Sequence, residues 1–307
     1  MVSIAVKQRY QAFGYTVASD IVFPELIQSQ DDSCDDVTIQ LGDLTAEWQQ
    51  LGIAERASFV TEQRIVFKIA NTAIFAIQDG ATITVSPLPD ADEDHIRLYL
   101  LGSCMGALLF QRKVLPLHGS AIVIGGKAYA FVGDSGAGKS TLASAFLQRG
   151  HQLISDDVIA ISLSAEGIPM VTPSYPQQKL WQQSLDGFGM QNTNLRPIFQ
   201  RETKFTVPVR SMFQSEPLPL AGVFELRKGE LDTIQCQPIT GLARLSMLYQ
   251  NTYRNNFIAR MKLQEWHLRM TATIVNQLLL FTITRPLSGF TAPDIVNRIL
   301  QIIDQEG

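Results

Sequence analysis

The chain has 307 residues, 46% hydrophobic and 18% charged, with a formal net charge of −4. That length suits one large domain or two ordinary ones with a sizeable core. An acidic balance argues against a general nucleic-acid binder, because neutralising a phosphate backbone calls for a basic face.

Cys34, Cys104 and Cys236 are widely separated and odd in number. They fit neither a disulfide framework nor a metal-binding pair, and a cytoplasmic location is expected. The opening residues lack the long apolar core of a signal peptide. The most apolar run, residues 96–110, carries Arg97 and is too short to span a bilayer, so it reads as a buried helix and no membrane partner is expected.

In chain order, residues 1–90 read mainly as strands, at 13–18, 37–41, 65–69, 73–77 and 81–86. Polar punctuation such as Gln78-Asp79-Gly80 separates them, and residues 81–86 alternate as a strand with one covered face does. The acidic cluster Asp31, Asp32, Asp35, Asp36 reads as a solvated loop. Residues 87–94 make a turn, and a helix is expected over 93–112. Two short apolar runs, 120–124 and 127–132, are joined by Gly125-Gly126, a hairpin signal. A helix over 142–149 is closed by Gly150, since glycine readily takes the left-handed conformation at a helix end. A strand begins at His151, and further strands are expected at 223–226 and 279–284. Helices are expected at 241–251, 261–277 and 293–304, the last opened by Thr291-Ala292-Pro293-Asp294. From residue 118 onward strands and helices alternate, which predicts an α/β architecture.

The strongest chemical signal lies between the second hairpin strand and the next helix. Gly133-Asp134-Ser135-Gly136-Ala137-Gly138-Lys139-Ser140 matches G-x-x-x-x-G-K-[ST] in full, with Thr141 following. Glycines let the backbone curl around phosphate oxygens, and the following helix offers them its positive end. Lys139 can reach the β- and γ-phosphates, and the Ser140 hydroxyl suits Mg²⁺. Asp156-Asp157 stands seventeen and eighteen residues beyond Lys139, at the end of the predicted strand. In a parallel sheet that strand would lie beside the loop-bearing one. One carboxylate could then hold Mg²⁺ and the other accept a proton from an attacking hydroxyl. His118-Gly119-Ser120 precedes the hairpin; spacing alone leaves His118 a structural residue or a catalytic one.

Leu117-His118-Gly119-Ser120, the loop, and the run from Gln148-Arg149-Gly150-His151 to Asp156-Asp157 together resemble the catalytic domain of the HPr kinase/phosphorylase family. The resemblance implies an α/β P-loop kinase core of the HPr kinase type with a smaller, mainly β N-terminal domain. Residues 1–90 would be that domain, open to substrate or leader-peptide recognition, to docking another subunit or to covering the kinase core, and residues 91–307 the catalytic domain with a connecting helix. It implies ATP and Mg²⁺ as cofactors, His118 as the active-site histidine and Lys139 as the phosphate-binding lysine. Ser140 and Asp156 would hold the metal, and Asp157, supported by Asp156, would be the general base. The family is hexameric, which leaves a homo-oligomer open.

Departures follow residue 165. Thr141 stands where HPr kinases have glutamate, and the family's glutamate-bearing segment is replaced by residues 173–181. The P-V-R-x-G-R-N signature tied to phosphorolysis has no clear counterpart: Val207-Pro208-Val209-Arg210 copies three letters early in the chain, and the run ending at Arg244 sits near the expected place. Residues 10–20 and Pro217-Leu218-Pro219-Leu220 are similar to a branch that phosphorylates the C-terminal serine of lasso-peptide precursors. Lys204, Arg210 and Arg244 are candidate substrate contacts, Lys204 and Arg210 lying in a basic patch with Arg201.

The expected activity is therefore Mg-ATP-dependent phosphorylation of a serine on a peptide or small protein. A bifunctional HPr(Ser) kinase/phosphorylase is the alternative, as is a nucleotide-hydrolysing switch without acceptor. Against the switch, the chain lacks the guanine motif N/T-K-x-D and the L-S-G-G-Q signature.

Overall fold

The alternating segments of the N-terminal third build one eight-stranded sheet in the computed structural model, which describes residues 7–30, 34–54, 57–193, 195–198 and 201–306. Its strands are β1 (Gln8–Ala12), β2 (Tyr15–Ser19), β3 (Ile27–Gln28), β4 (Val37–Leu41), β5 (Ser58–Val60), β6 (Arg64–Ile69), β7 (Ala73–Gln78) and β8 (Thr82–Pro87). They lie in the order β3-β1-β2-β4-β8-β7-β6-β5. The run expected as one strand at 13–18 is instead a hairpin: Phe13 and Gly14 turn with φ of 54° and 74° between β1 and β2. A short helix, α1 (Thr45–Leu51), packs Trp48 and Leu51 against Val66 and Ile74. Of the acidic cluster, Asp35 pairs with Arg9 and Asp36 accepts the Thr16 amide, while Asp31 and Asp32 lie outside the described residues.

The apolar run after β8 is helical and buried, as its composition predicts. It comprises α2 (Glu93–Tyr99), one π-helical turn at Leu100–Cys104, and α3 (Met105–Gln111). Asp92 caps α2 by accepting the His95 amide at 3.0 Å. Arg97 is buried but paired with Glu25 and Asp94. Contacts divide the chain into two compact units, one up to Val114 with Arg254–Trp266, the other Leu115–Tyr253 with the residues from His267. The helical run 93–111 thus falls in the first unit, whereas the sequence reading placed residues from 91 with the catalytic part. The short helix α7 (Asn256–Arg260) also falls there. No helix among the described residues is long and apolar enough to cross a membrane.

In the second unit seven strands form a mixed sheet: β9 (Leu115–Ile124), β10 (Lys127–Val132), β11 (Gln152–Leu163), β12 (Pro169–Thr172), β16 (Leu218–Gly229), β17 (Gln235–Pro238) and β18 (Leu279–Pro286). The order is β10-β9-β11-β12-β16-β18-β17, and β10 also pairs with β16, so five of these strands close a circuit. Gly125 and Gly126 have positive φ and make the two-residue hairpin between β9 and β10. A separate sheet has the order β13 (Gln177–Trp181), β15 (Arg201–Pro208), β14 (Arg196–Ile198).

The expected adjacency of the loop-bearing and aspartate-bearing strands is corrected here. β9 lies between them, antiparallel to both β10 and β11, so β10 and β11 run the same way one strand apart. Nor do the aspartates end a strand: β11 runs on six residues past Asp157. The hairpin strand was free to pair on both edges, and a short apolar run carries no record of which neighbour it takes.

Helix α4 (Lys139–Leu147) follows the loop, and α5 (Gln182–Gly187) follows β13. Further on come α6 (Ala243–Gln250), α8 (Gln264–Ile274) and α9 (Ala292–Glu306). The helix expected over 261–277 starts late because Lys262 has φ of 56°, a left-handed residue that breaks helical continuity. Leu142 and Phe146 of α4 bury against Phe131, Phe224, Ile295 and Ile299. That core anchors both flanks of the loop and leaves the loop itself at the edge.

Candidate active site

The glycines of the loop answer to conformation and to clearance. Gly133, Gly136 and Gly138 have φ of 130°, 82° and 110°, which side chains resist. A Cβ on Gly133 would stand 2.4 Å from the Leu226 carbonyl oxygen, so β10 can pass close to β16 only with glycine there. Lys139 folds back over the loop, its Nζ donating to the carbonyls of Gly133 at 2.8 Å and Asp134 at 3.1 Å. Burial pushes its pKa down, and the nearby Asp157 and Asp156 oppose the fall.

The loop residues from Ser135 to Leu142 line a cavity of about 820 Å³ that His118, Asp156 and Asp157 share. Gly133 and Asp134 face a second, smaller cavity of about 540 Å³ with Glu225 and Asn251. Two consecutive strand residues normally point to opposite faces. Asp156 and Asp157 both reach the first cavity, and Asp157 has φ of 75° inside β11. That left-handed backbone, worth about 1–3 kcal/mol of local strain in a non-glycine residue, turns two adjacent carboxylates into one site. Gly119, paired with Asp157, admits no side chain either, because a Cβ would lie 2.2 Å from the Phe131 carbonyl oxygen.

The two carboxylates have different surroundings. Asp156 is buried and accepts from Ser120 Oγ, from Ser140 Oγ at 2.9 Å and from the Lys179 amide at 2.9 Å. Burial nonetheless raises its pKa, outweighing those donors. Asp157 is partly exposed and receives Lys179 Nζ at 2.6 Å, with His118 Nδ1 at 3.7 Å from its carboxylate and 3.0 Å from its carbonyl oxygen. Burial would raise its pKa, but Lys179 and His118 together hold it well below the usual carboxylate range. Lys179 itself stays charged, since Asp157 overcomes its burial. Burial lowers the pKa of His118 against the pull of Asp157, which favours the neutral imidazole.

The structure therefore brings His118, Lys139, Ser140, Thr141, Asp156, Asp157 and Lys204 to one cavity. Lys204 lies 5.4 Å from the centre of the Trp181 ring. Arg210 is exposed in the turn Arg210–Met212, and Arg244 donates to the Leu278 carbonyl at 3.0 Å; neither lines the cavity. The side chain of Arg201 lies outside the described residues. Sequence reasoning missed Lys179 and Ser120. Ser120 sits beside His118-Gly119 and could have been suspected, whereas Lys179 belongs to no motif and meets the acids only through the placement of β13. Lys228 and Arg285, register partners on β16 and β18, also line the cavity, and Arg285 Nε donates to the Ala137 carbonyl at 3.0 Å. Among the described residues no cluster of three or more His, Cys, Asp or Glu forms a metal site.

Residues 111–191 match the family model of the HPr Serine kinase C-terminal domain. An HPr kinase/phosphorylase from Mycoplasmopsis pulmonis is 39% identical over 64 residues, 20% of this chain and 21% of that protein. One from Bordetella pertussis is 35% identical over 109 residues, 34% of this chain and 31% of that protein. The matches thus span about a fifth to a third of these relatives' own length. The solved structure of the Hpr(Ser) kinase/phosphatase from Coxiella burnetii aligns with TM-score 0.34 and 16% identity over 62% of this chain and 99% of that one, a likeness too loose to carry an argument. Around the loop and the aspartate pair, the chain is HPr kinase-like in sequence.

Proposed function

We propose that the second unit transfers a phosphoryl group between a nucleoside triphosphate, ATP first, and a serine hydroxyl of a small protein or peptide. The observation that carries this reading is the joined pair of carboxylates: Asp156 is tied to the loop through Ser140, while Asp157, the next residue, faces the same cavity with Lys179 and His118. A carboxylate in that place can take the proton of an attacking hydroxyl.

The loop and Lys139 would hold the β- and γ-phosphates, Lys139 exchanging its two carbonyl partners for phosphate oxygens. The Ser140 hydroxyl and the Asp156 carboxylate form a hard, all-oxygen donor set that suits Mg²⁺, which supplies neutralisation of charge developing on the phosphates. Ser120 and the Lys179 amide fix the Asp156 carboxylate in place for that task. Asp157 orients the serine hydroxyl and takes its proton. Its depressed pKa makes it a weak base, which matters little in a loose phosphoryl-transfer transition state where positioning and electrostatics dominate. Lys204 lines the cavity and would meet the acceptor or the phosphate.

Both directions of the reaction are in view. The matched relatives are named kinase and phosphorylase, which supports the bifunctional reading at least as well as a one-way kinase, and their names point to HPr as the acceptor. A serine-terminated lasso-type precursor has no support among them and enters only as one arm of the test. Incubation with Mg-ATP and, separately, HPr or serine-terminated peptides is expected to add one phosphate to the true acceptor by mass. The phosphorylated product with inorganic phosphate is expected to release pyrophosphate if the reverse reaction runs. ATP turnover with every acceptor left unmodified would replace transfer with hydrolysis.

A further inference from the structure

We propose that Phe290 is the platform on which the base of the nucleoside triphosphate stacks; this rests on the nucleotide reading above and adds the far end of the ligand to it. The cavity has a direction. Ser140 joins Asp156 on the side where a hydroxyl would arrive, and the next residue, Thr141, shares a hydrogen bond of 2.8 Å with Ser184 of α5. Gly187, three residues further along α5, falls on the same side of that helix as Ser184. The Phe290 ring lies on Gly187. A Cβ built there would stand 2.5 Å from Cε2, 2.6 Å from Cδ2 and 3.0 Å from Cζ. Three successive ring atoms come that close together only when the point lies over the ring's face, so glycine's bare backbone forms the backing.

Phe188 fixes the tilt, with ring centroids 4.9 Å apart and planes at 85°. Packed on Gly187 and against Phe188, Phe290 is still 40% exposed and lines the same cavity as the loop. A partly exposed aromatic in the same cavity as a phosphate-binding loop suits a flat ligand group. The terminal phosphate must face Asp157 for transfer, so in an extended nucleotide the base emerges at the opposite end, past Thr141. A volume of about 820 Å³ falls within the range that encloses a whole drug-sized ligand. Stacking tolerates every base, because each has a π-face. The wall at this end adds Ala292 and Ile295, which offer no hydrogen bonds from their side chains.

The test compares Mg-ATP with inorganic tripolyphosphate, which has the phosphates and no base, by calorimetry on the whole chain. Phe290→Ala is expected to weaken Mg-ATP by roughly tenfold while changing tripolyphosphate less than about twofold, with Phe290→Tyr near wild type. Gly187→Ala is expected to imitate Phe290→Ala by pushing the ring away. Equal weakening of both probes, or none, would overturn the platform and leave the loop's role standing. So would unchanged ATP affinity with a raised acceptor KM, which would make Phe290 a peptide contact. Wild-type protein that binds neither probe would overturn the nucleotide reading itself.

Discussion

The glycine-rich loop and the aspartate pair meet at the Ser140–Asp156 hydrogen bond, yet they are constructed by opposite means. The loop is contiguous. Its shape comes from three glycines whose positive φ is permitted locally, and its charge from a lysine attached to the same turn. The pair is assembled. It needs a left-handed aspartate inside a strand, an intervening hairpin strand with a glycine at the tight point, and a lysine delivered from β13. The lesson is that one half of a site can be portable as a motif while the other exists only in a finished fold.

The comparison implies that damage to the assembled half separates chemistry from nucleotide binding. Asp157→Asn is expected to lower kcat by about 10²–10⁴-fold, the usual span for losing a positioned proton acceptor, while Mg-ATP affinity measured by calorimetry stays within a few-fold. Loss of both together would mean that loop and pair are one unit.

A smaller effect is expected on stability when the lysine is taken away. Lys179→Met leaves Asp157 charged and unpaired, and the partial exposure of Asp157 sets the loss near the lower end of the range for broken buried pairs, about 3 kcal/mol. Because Asp157 has a depressed pKa in the folded state, its ion pair contributes above the unfolded carboxylate's pKa and is lost as pH falls through the folded one. The penalty measured by urea denaturation should therefore be full at pH 7 and shrink progressively as pH falls from the unfolded carboxylate's pKa toward the folded one. A double change with Asp157→Asn should recover much of it, since neither charge then remains. A penalty that persists in acid would assign Lys179 to packing instead.

The smallest effect has the opposite sign. Asp156 has a raised pKa, so its ionisation opposes the fold progressively as pH rises through the folded-state value. Asp156→Asn should raise the melting temperature by about 2–4 °C at pH 7 and abolish transfer, with no gain in stability below the unfolded carboxylate's pKa. The Asn oxygen can keep the Lys179 amide while its NH₂ turns to Ser120 and Ser140, whose hydroxyls can accept as well as donate. A fall in melting temperature would show that the three hydrogen bonds outweigh the burial.

Legibility followed the same division. Hairpin glycines, the helix after the loop and the buried run at 93–111 were visible because turn chemistry and periodicity are local. The turn at Phe13-Gly14 was hidden, since Phe is an unlikely occupant of a left-handed position and read as strand instead. Asp156 and Asp157 stood out through their distance from the loop and do share its cavity, but their location was misread: the pair was placed at a strand's end beside β10, not mid-strand with β9 between. Arg210 and Arg244 drew attention as cations, although charge in a sequence does not say which cavity it enters.

By itself the sequence determined a glycine-rich loop of the phosphate-binding pattern, because every property that pattern needs belongs to neighbouring residues: glycine's conformational freedom, a lysine and a hydroxyl at fixed offsets, and an apolar strand and helix to hold the ends. Only the tertiary structure decided what faces that loop. Bringing Lys179 to Asp157 depends on pairing between segments about twenty residues apart, and seating Phe290 on Gly187 on packing between segments about a hundred apart. Such contacts are settled by the free energy of the whole core, which no short run of residues carries.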